Sequence, residues 1–171
     1  LTLVPSYPDL PMEKVYPRQE KTDIRGVFLR ETGRSRVVYF PWDIDRTYWE
    51  VMCVDHGRRL ANAIRWALNE DPPVSVTGPG LVEVAMWRQR ESLTVHLVNL
   101  TNPMMMKGPY RDIISLAAQR VRVRLPEGRK AKKVQFLVSG QQPQVEESAG
   151  AIALTVPSIG LHEVIAIDFA R

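Results

Sequence analysis

Trp42-Asp43-Ile44-Asp45-Arg46-Thr47-Tyr48-Trp49 gathers more chemistry than any other stretch of the chain. Asp43 and Asp45, two positions apart, could act as the acid and nucleophile pair of glycoside hydrolysis. With Trp42, Arg46, Tyr48 and Trp49 they could instead line a substrate pocket or a contact between subunits. A third reading is an irregular loop capped by its carboxylates and packed by its aromatics. Spacing alone does not choose, because a working carboxylate pair ordinarily comes from separate strands. Arg46 would pair with a neighbouring aspartate as readily as with a ligand.

The flanking elements must position this stretch. Arg36–Phe40 is an apolar, β-branched run ended by Pro41, and Ile24–Glu31 is a second such run. Thr32-Gly33-Arg34-Ser35 between them predicts an antiparallel hairpin. After the loop, Asp55 can serve as the N-cap of a helix reaching Leu68. Leu60, Ile64, Ala67 and Leu68 form one apolar stripe that must be buried against a sheet. Asp71-Pro72-Pro73 stops the helix and marks a domain boundary. A strand, loop and helix are the unit of an α/β domain, in which ligands gather where strands end.

Beyond Pro73 the pattern changes to short alternating segments: Val74–Thr77, Leu81–Arg88, Leu93–Leu100, Arg120–Leu125, Lys133–Val138, Gln144–Glu147, Ile152–Val156 and Glu163–Phe169. Their spacing, with no helix among them, predicts a β-sandwich of immunoglobulin-like size. The expected fold class is α+β: residues 1–72 as a partial α/β segment and 73–171 as an all-β sandwich. A hairpin and one helix lack the second layer that would cover them. Residues 1–72 therefore read as the last third of a larger domain, or as a piece docked on the sandwich. Leu1–Val4 reads as a strand end, and the proline-rich Pro5–Asp23 as an irregular loop.

Met104, Met105 and Met106, between Pro103 and Pro109 and followed by Tyr110, are the second unusual stretch. Adaptable thioethers of this kind suit an interface with another domain or subunit. Arg120, Arg122 and Arg124 share one face of a strand, with Lys132 and Lys133 expected on the next. Lacking interleaved aromatics, they read as a solvated face rather than a nucleic-acid groove. Asn99-Leu100-Thr101 matches a glycosylation sequon.

Composition bounds the remainder. The chain has 171 residues, 44% apolar and 25% charged, with a formal charge of +4 spread along its length. No apolar run reaches the ~18 residues of a spanning helix. No charged segment followed by an apolar one opens the given sequence, so no signal peptide is expected from it, and Cys53 is a single cysteine read as a buried, inert thiol. The compartment is left open by the sequence, with a soluble, cytoplasmic setting favoured over others, and neither nucleic acid nor membrane is expected as a partner. His56, His96 and His162 show no metal-ligand spacing, Gly78-Pro79-Gly80 lacks the lysine of a phosphate loop, and no GxSxG elbow occurs. No cofactor or metal is expected.

Taken in order, RVVYFPWDIDRTYW (36–49), DHGRRLANAIRWAL (55–68), VSVTGPGLVEVAMWRQ (74–89), LTVHLVNLTNPMMMKGPYRD (93–112) and VRVRLPEG (121–128) resemble the C-terminal region of large bacterial glycoside hydrolases laid out like family 42 β-galactosidases. The resemblance runs from about Val27 to Phe169. It implies a catalytic barrel upstream, an amidotransferase-like α/β trimerisation domain closing in residues 1–72, and a C-terminal sandwich. The family's catalytic carboxylates belong to the barrel, so no catalytic residue carries over to this chain. In that layout the trimerisation domain can complete a neighbouring subunit's site, which points to Trp42–Trp49 as the lining or interface. The implied function is non-catalytic support of the barrel or of oligomerisation, with that barrel or a neighbouring subunit as partner. The alternative is a carbohydrate-binding module using Trp42, Trp49 and Trp87. A third reading, nucleic-acid binding through the arginine row, requires steep salt dependence.

Overall fold

The computed structural model describes residues 22–51, 53–101, 112–148 and 150–170. The expectations for 1–21 and the interface candidates Met104, Met105, Met106 and Tyr110 lie outside the described residues. The chain divides into two compact units, 1–71 and 72–171. The α+β class holds, with strands dominating.

In the first unit β1 (Phe28–Thr32) and β2 (Ser35–Tyr39) pair antiparallel, Phe28 opposite Tyr39 and Thr32 opposite Ser35. Gly33 makes the turn at φ 58°, a conformation glycine adopts without a Cβ penalty. Two helices follow, α1 (Ile44–Val51) and α2 (Val54–Leu68). The irregular loop expected across Trp42–Trp49 is therefore mostly helix. Ile44, Tyr48 and Val51 fall at i, i+4 and i+7, Asp45 sits in the first turn, and Arg46 pairs with Glu50 one turn on. These are ordinary helix signals that the density of aromatic and charged residues obscured.

The N-cap of α2 is Cys53, not Asp55. Asp55 lies in the first turn, where it favours the helix dipole and sits 3.6 Å from Arg58. Asn69, left-handed at φ 53°, ends the helix. The apolar stripe expected to be buried is split: Leu60 and Ala67 are half-buried, whereas Ile64 is 65% exposed and Leu68 43%, and no α2 residue is fully buried. The half-buried face runs through His56, Leu60, Ala63 and Ala67, turned from the expected stripe toward Ala63. It includes Trp66, whose ring lies under the Arg36 guanidinium of β2 at 5.2 Å. Arg36 also donates to the Trp66 carbonyl and to Asn69 Oδ1, tying strand to helix.

The second unit is a sandwich of two four-stranded antiparallel sheets. One has the order β4 (Val82–Arg88), β5 (Ser92–Asn99), β10 (His162–Phe169), β7 (Ala131–Phe136). The other runs β3 (Val74–Thr77), β6 (Gln119–Arg124), β9 (Ala151–Val156), β8 (Val145–Ser148). The eight segments picked out by alternation match these strands to within one or two residues at each end. The four central strands supply the core: Leu93, Val95 and Leu97; Val121 and Val123; Ile152, Leu154 and Val156; Ile165 and Ile167. Period-2 alternation delivers these residues to one face of each sheet. Lys132 and Lys133 are not beside the arginine row as expected, because β7 and β6 belong to different sheets.

Past β5 the chain is held by Asn99, 4% exposed. Its Nδ2 donates to the Ile114 and Gly160 carbonyls, and its Oδ1 accepts from the Thr101 N–H. The sequon's acceptor nitrogen is thus committed inside the fold. Urea unfolding checks the contrast in burial: Leu154→Ala should lower stability by about 2–5 kcal/mol. Ile64→Ala on exposed α2 should change it by no more than about 0.5 kcal/mol.

Candidate functional site

The constellation opening the sequence splits into two kinds of residue. Trp42 is structural: its Nε1 donates to the Gly26 carbonyl at 2.9 Å, and its ring meets Phe40 and His56 edge-on. Tyr48 packs against Gly57, where a Cβ would come within 2.8 Å of its ring, so glycine permits the close approach of α1 to α2. Arg46 pairs with Glu50 at 2.8 Å rather than with an aspartate, and both partners are exposed. Glu50, with a lesser contribution from Asp43, raises the pKa of that guanidinium. Asp43 and Asp45 are exposed, and the contacts found at Asp43 are to its backbone carbonyl, which accepts from the Thr47 N–H and hydroxyl. Neither carboxylate sits in a desolvated pocket of the kind that prepares an acid or nucleophile. Trp49, at 58% exposure, is the free aromatic of the group, and Val51 and Val54 beside it are exposed too.

Cys53 is half-buried rather than buried. Next to it, His56 Nδ1 is buried with no hydrogen-bond partner among the described residues. Between hairpin and helix lies an open, largely apolar cleft of about 360 Å³, lined by Val27, Leu29, Val38, Phe40, Ala63 and Trp66 among others. Apolar walls left apart forgo the dispersion contacts of a closed interface.

The sandwich brings together two histidines that sequence reasoning kept apart. His96 faces Val164, and His162 faces Val98, so the two are diagonal neighbours on the outer face of β5 and β10. Nδ1 of His96 and Nε2 of His162 are 3.3 Å apart, with ring centroids at 5.4 Å and planes 18° apart. The nitrogens thus lie nearly on the line joining the rings, as in an N–H donating to a lone pair. Two histidines by themselves fall short of the three or four protein ligands of a metal site. Among the described residues no group of three metal-ligating side chains occurs. With 65 residues between them, neither histidine announces the other; only strand order joins them.

Glu163 is the buried charge, 3% exposed. Its carboxylate accepts from the Val138 and Val164 N–H groups at 2.9 Å each and from the Ser139 N–H at 3.1 Å. Burial alone would raise its pKa; the donors from Val138, Val164 and Ser139 outweigh that and hold it below the ordinary glutamate range. The arginine row is paired in part: Arg120 holds Glu146 through both guanidinium nitrogens. That pairing raises the Arg120 pKa and lowers the Glu146 pKa.

No family model matches the chain, and no curated protein matches it. Among solved structures it is similar to alpha-L-fucosidase isoenzyme 2 from Paenibacillus thiaminolyticus, with a TM-score of 0.70 and 18% identity over 90% of this chain. The chain spans 23% of that protein's length. At this identity the likeness shows a shared fold. No helix among the described residues is long and apolar enough to cross a membrane.

Because the folded pKa of Glu163 is depressed, its contribution to stability is present above the unfolded value and lost as pH falls through the folded one. Melting temperatures measured from about pH 6 down to about pH 3 should fall, and Glu163→Gln should flatten part of that slope while lowering stability at neutral pH. An unchanged slope in the variant would remove this role.

Proposed function

We propose that this chain is a non-catalytic accessory region of a glycoside hydrolase, supporting its catalytic domain or its oligomerisation. The observation that carries this reading is the two-sided apolar exposure of the first unit. Phe28, Val37 and Tyr39 are exposed on one hairpin face, and Ile64 and Leu68 on α2. Five such side chains on so small a unit exceed what a soluble surface ordinarily scatters, and contiguous apolar area marks a contact. The fold supports the association with glycoside hydrolysis, since a protein named as a fucosidase carries the same fold in about a quarter of its length.

On this reading residues 1–72 close a trimerisation-like α/β domain of the family 42 layout, and 73–171 are its sandwich. The partner is the catalytic domain or a neighbouring subunit, which would cover the hairpin face and the α2 stripe. Trp49, Val51 and Val54 extend that contact surface, whereas Trp42 and Tyr48 hold it in shape. A cytoplasmic setting fits the single cysteine, because the chain has no disulfide that would need an oxidising compartment. A second reading, carbohydrate binding, is favoured by the exposure of Trp49 and by Trp87 on β4, 64% exposed.

Light scattering and dye binding at micromolar concentration test the first reading. The chain should self-associate or bind an apolar dye, and the triple variant Phe28→Ser, Val37→Thr, Tyr39→Ser should reduce either signal severalfold. A monodisperse monomer that binds no dye would end the assembly reading. Aryl-glycoside hydrolysis abolished by Asp43→Asn or Asp45→Asn would end the non-catalytic one.

A further inference from the structure

The β7–β8 loop is built with more care than a simple connection needs. Phe136 at the end of β7 donates its N–H to the Gln141 carbonyl at 2.8 Å, closing the loop on itself. Gly140 takes φ 72°, the left-handed turn. Glu163 binds the Val138 and Ser139 N–H groups from beneath. Burying a carboxylate is expensive unless it is fully hydrogen-bonded, and here that investment pins one loop. The pinned loop presents Gln141, Gln142 and Gln144, whose side-chain amides make no hydrogen bond within the described chain.

These three amides line a pocket of about 290 Å³ together with Arg120 of β6, Glu146 of β8 and Thr155 of β9. Pro143 and Pro157 add apolar surface, while Phe136 beneath them is buried in the core. Each amide carries donors and an acceptor, and Thr155 adds a hydroxyl with both. Arg120 and Glu146 neutralise each other in a two-pronged pair, so the pocket has no net demand for an anion or a cation. A phosphate would have to break that pair. Vicinal hydroxyls alternate donor and acceptor as the wall does, and C–H faces match the proline edges. The volume stands at the lower end for ligand pockets, which suits one ring rather than an extended chain.

We infer that this pocket binds a single neutral pyranose, with Gln141, Gln142, Gln144 and the Arg120–Glu146 pair as its hydrogen-bonding wall. The inference rests on the carbohydrate-binding reading and moves the site from the tryptophans to the amide-lined loop. Glu163 is a positioning residue, acting on the ligand only through the loop.

Nitrogen-15 NMR titration of the full chain with methyl α-L-fucopyranoside, methyl β-D-galactopyranoside and inorganic phosphate tests it. A saturable shift of the Gln142 and Gln144 amide resonances with a glycoside, and none with phosphate, supports the pocket. Gln142→Ala with Gln144→Ala should weaken that binding by on the order of tenfold with the melting temperature unchanged. Glu163→Gln should weaken it without removing any wall group, and its deficit relative to the parent chain should narrow as pH falls and the parent's Glu163 is protonated. Shifts confined to Trp49 or Trp87 overturn the pocket and leave carbohydrate binding standing. No glycoside-dependent shift overturns both, and a phosphate response overturns the neutral ligand.

Discussion

Two sheets closing on one another is the constraint from which the rest of the second unit follows. Ten side chains of the four central strands, among them Val95, Leu97, Val121, Leu154 and Ile165, reach zero or near-zero exposure. At roughly 25 cal/mol per Å² of apolar area removed from water, burial on this scale is the main force opposing chain entropy. Edge strands contribute less, and it shows: Val84 and Met86 of β4 belong to the inner face yet stay partly exposed. Loops and ends are then secured by polar groups, each satisfied locally. Asn99 replaces missing ladder bonds with side-chain ones, and the Leu116–Ile159 bridge closes the adjoining chain ends.

Among its described residues the first unit lacks such closure. Its strongest contacts are polar or aromatic, through Arg36 on Trp66 and Trp42 on Gly26 and His56. These orient a hairpin and two helices but, among the described residues, bury only Ile44 of its large apolar side chains. A cleft stays open between hairpin and α2, and half of the expected stripe, Ile64 and Leu68, faces outward. The disagreement with expectation is informative: the periodicity of Leu60, Ile64 and Leu68 specifies a face to be buried, not the partner that buries it. The assembly reading depends on that gap.

The sandwich also carries polar groups that the core does not need. Glu163 is charged, buried and spent on the conformation of one loop, while the His96–His162 pair fastens two strands at the outer surface. Both are arrangements in which the backbone fold brings a side chain to a partner far along the chain. Neither resembles a catalytic centre, which agrees with the open, solvated setting of Asp43 and Asp45.

Strand positions, the hairpin turn at Gly33 and the stop after Leu68 were legible in sequence, because each depends on near neighbours. Alternation in Arg120–Leu125 and Ile152–Val156 is a local pattern with one low-energy outcome, a half-buried strand. Helix α1 was legible too but misread, its i, i+4 pairs masked by residues that suggested a site. Strand order was not legible, and with it went the separation of β6 from β7, the meeting of His96 with His162, and the loop held by Glu163. Short-range propensity and periodicity determine which residues form an element and which face is apolar. Which elements become neighbours depends on long-range packing of the whole core, and only there do distant polar residues acquire partners, burial and a candidate task.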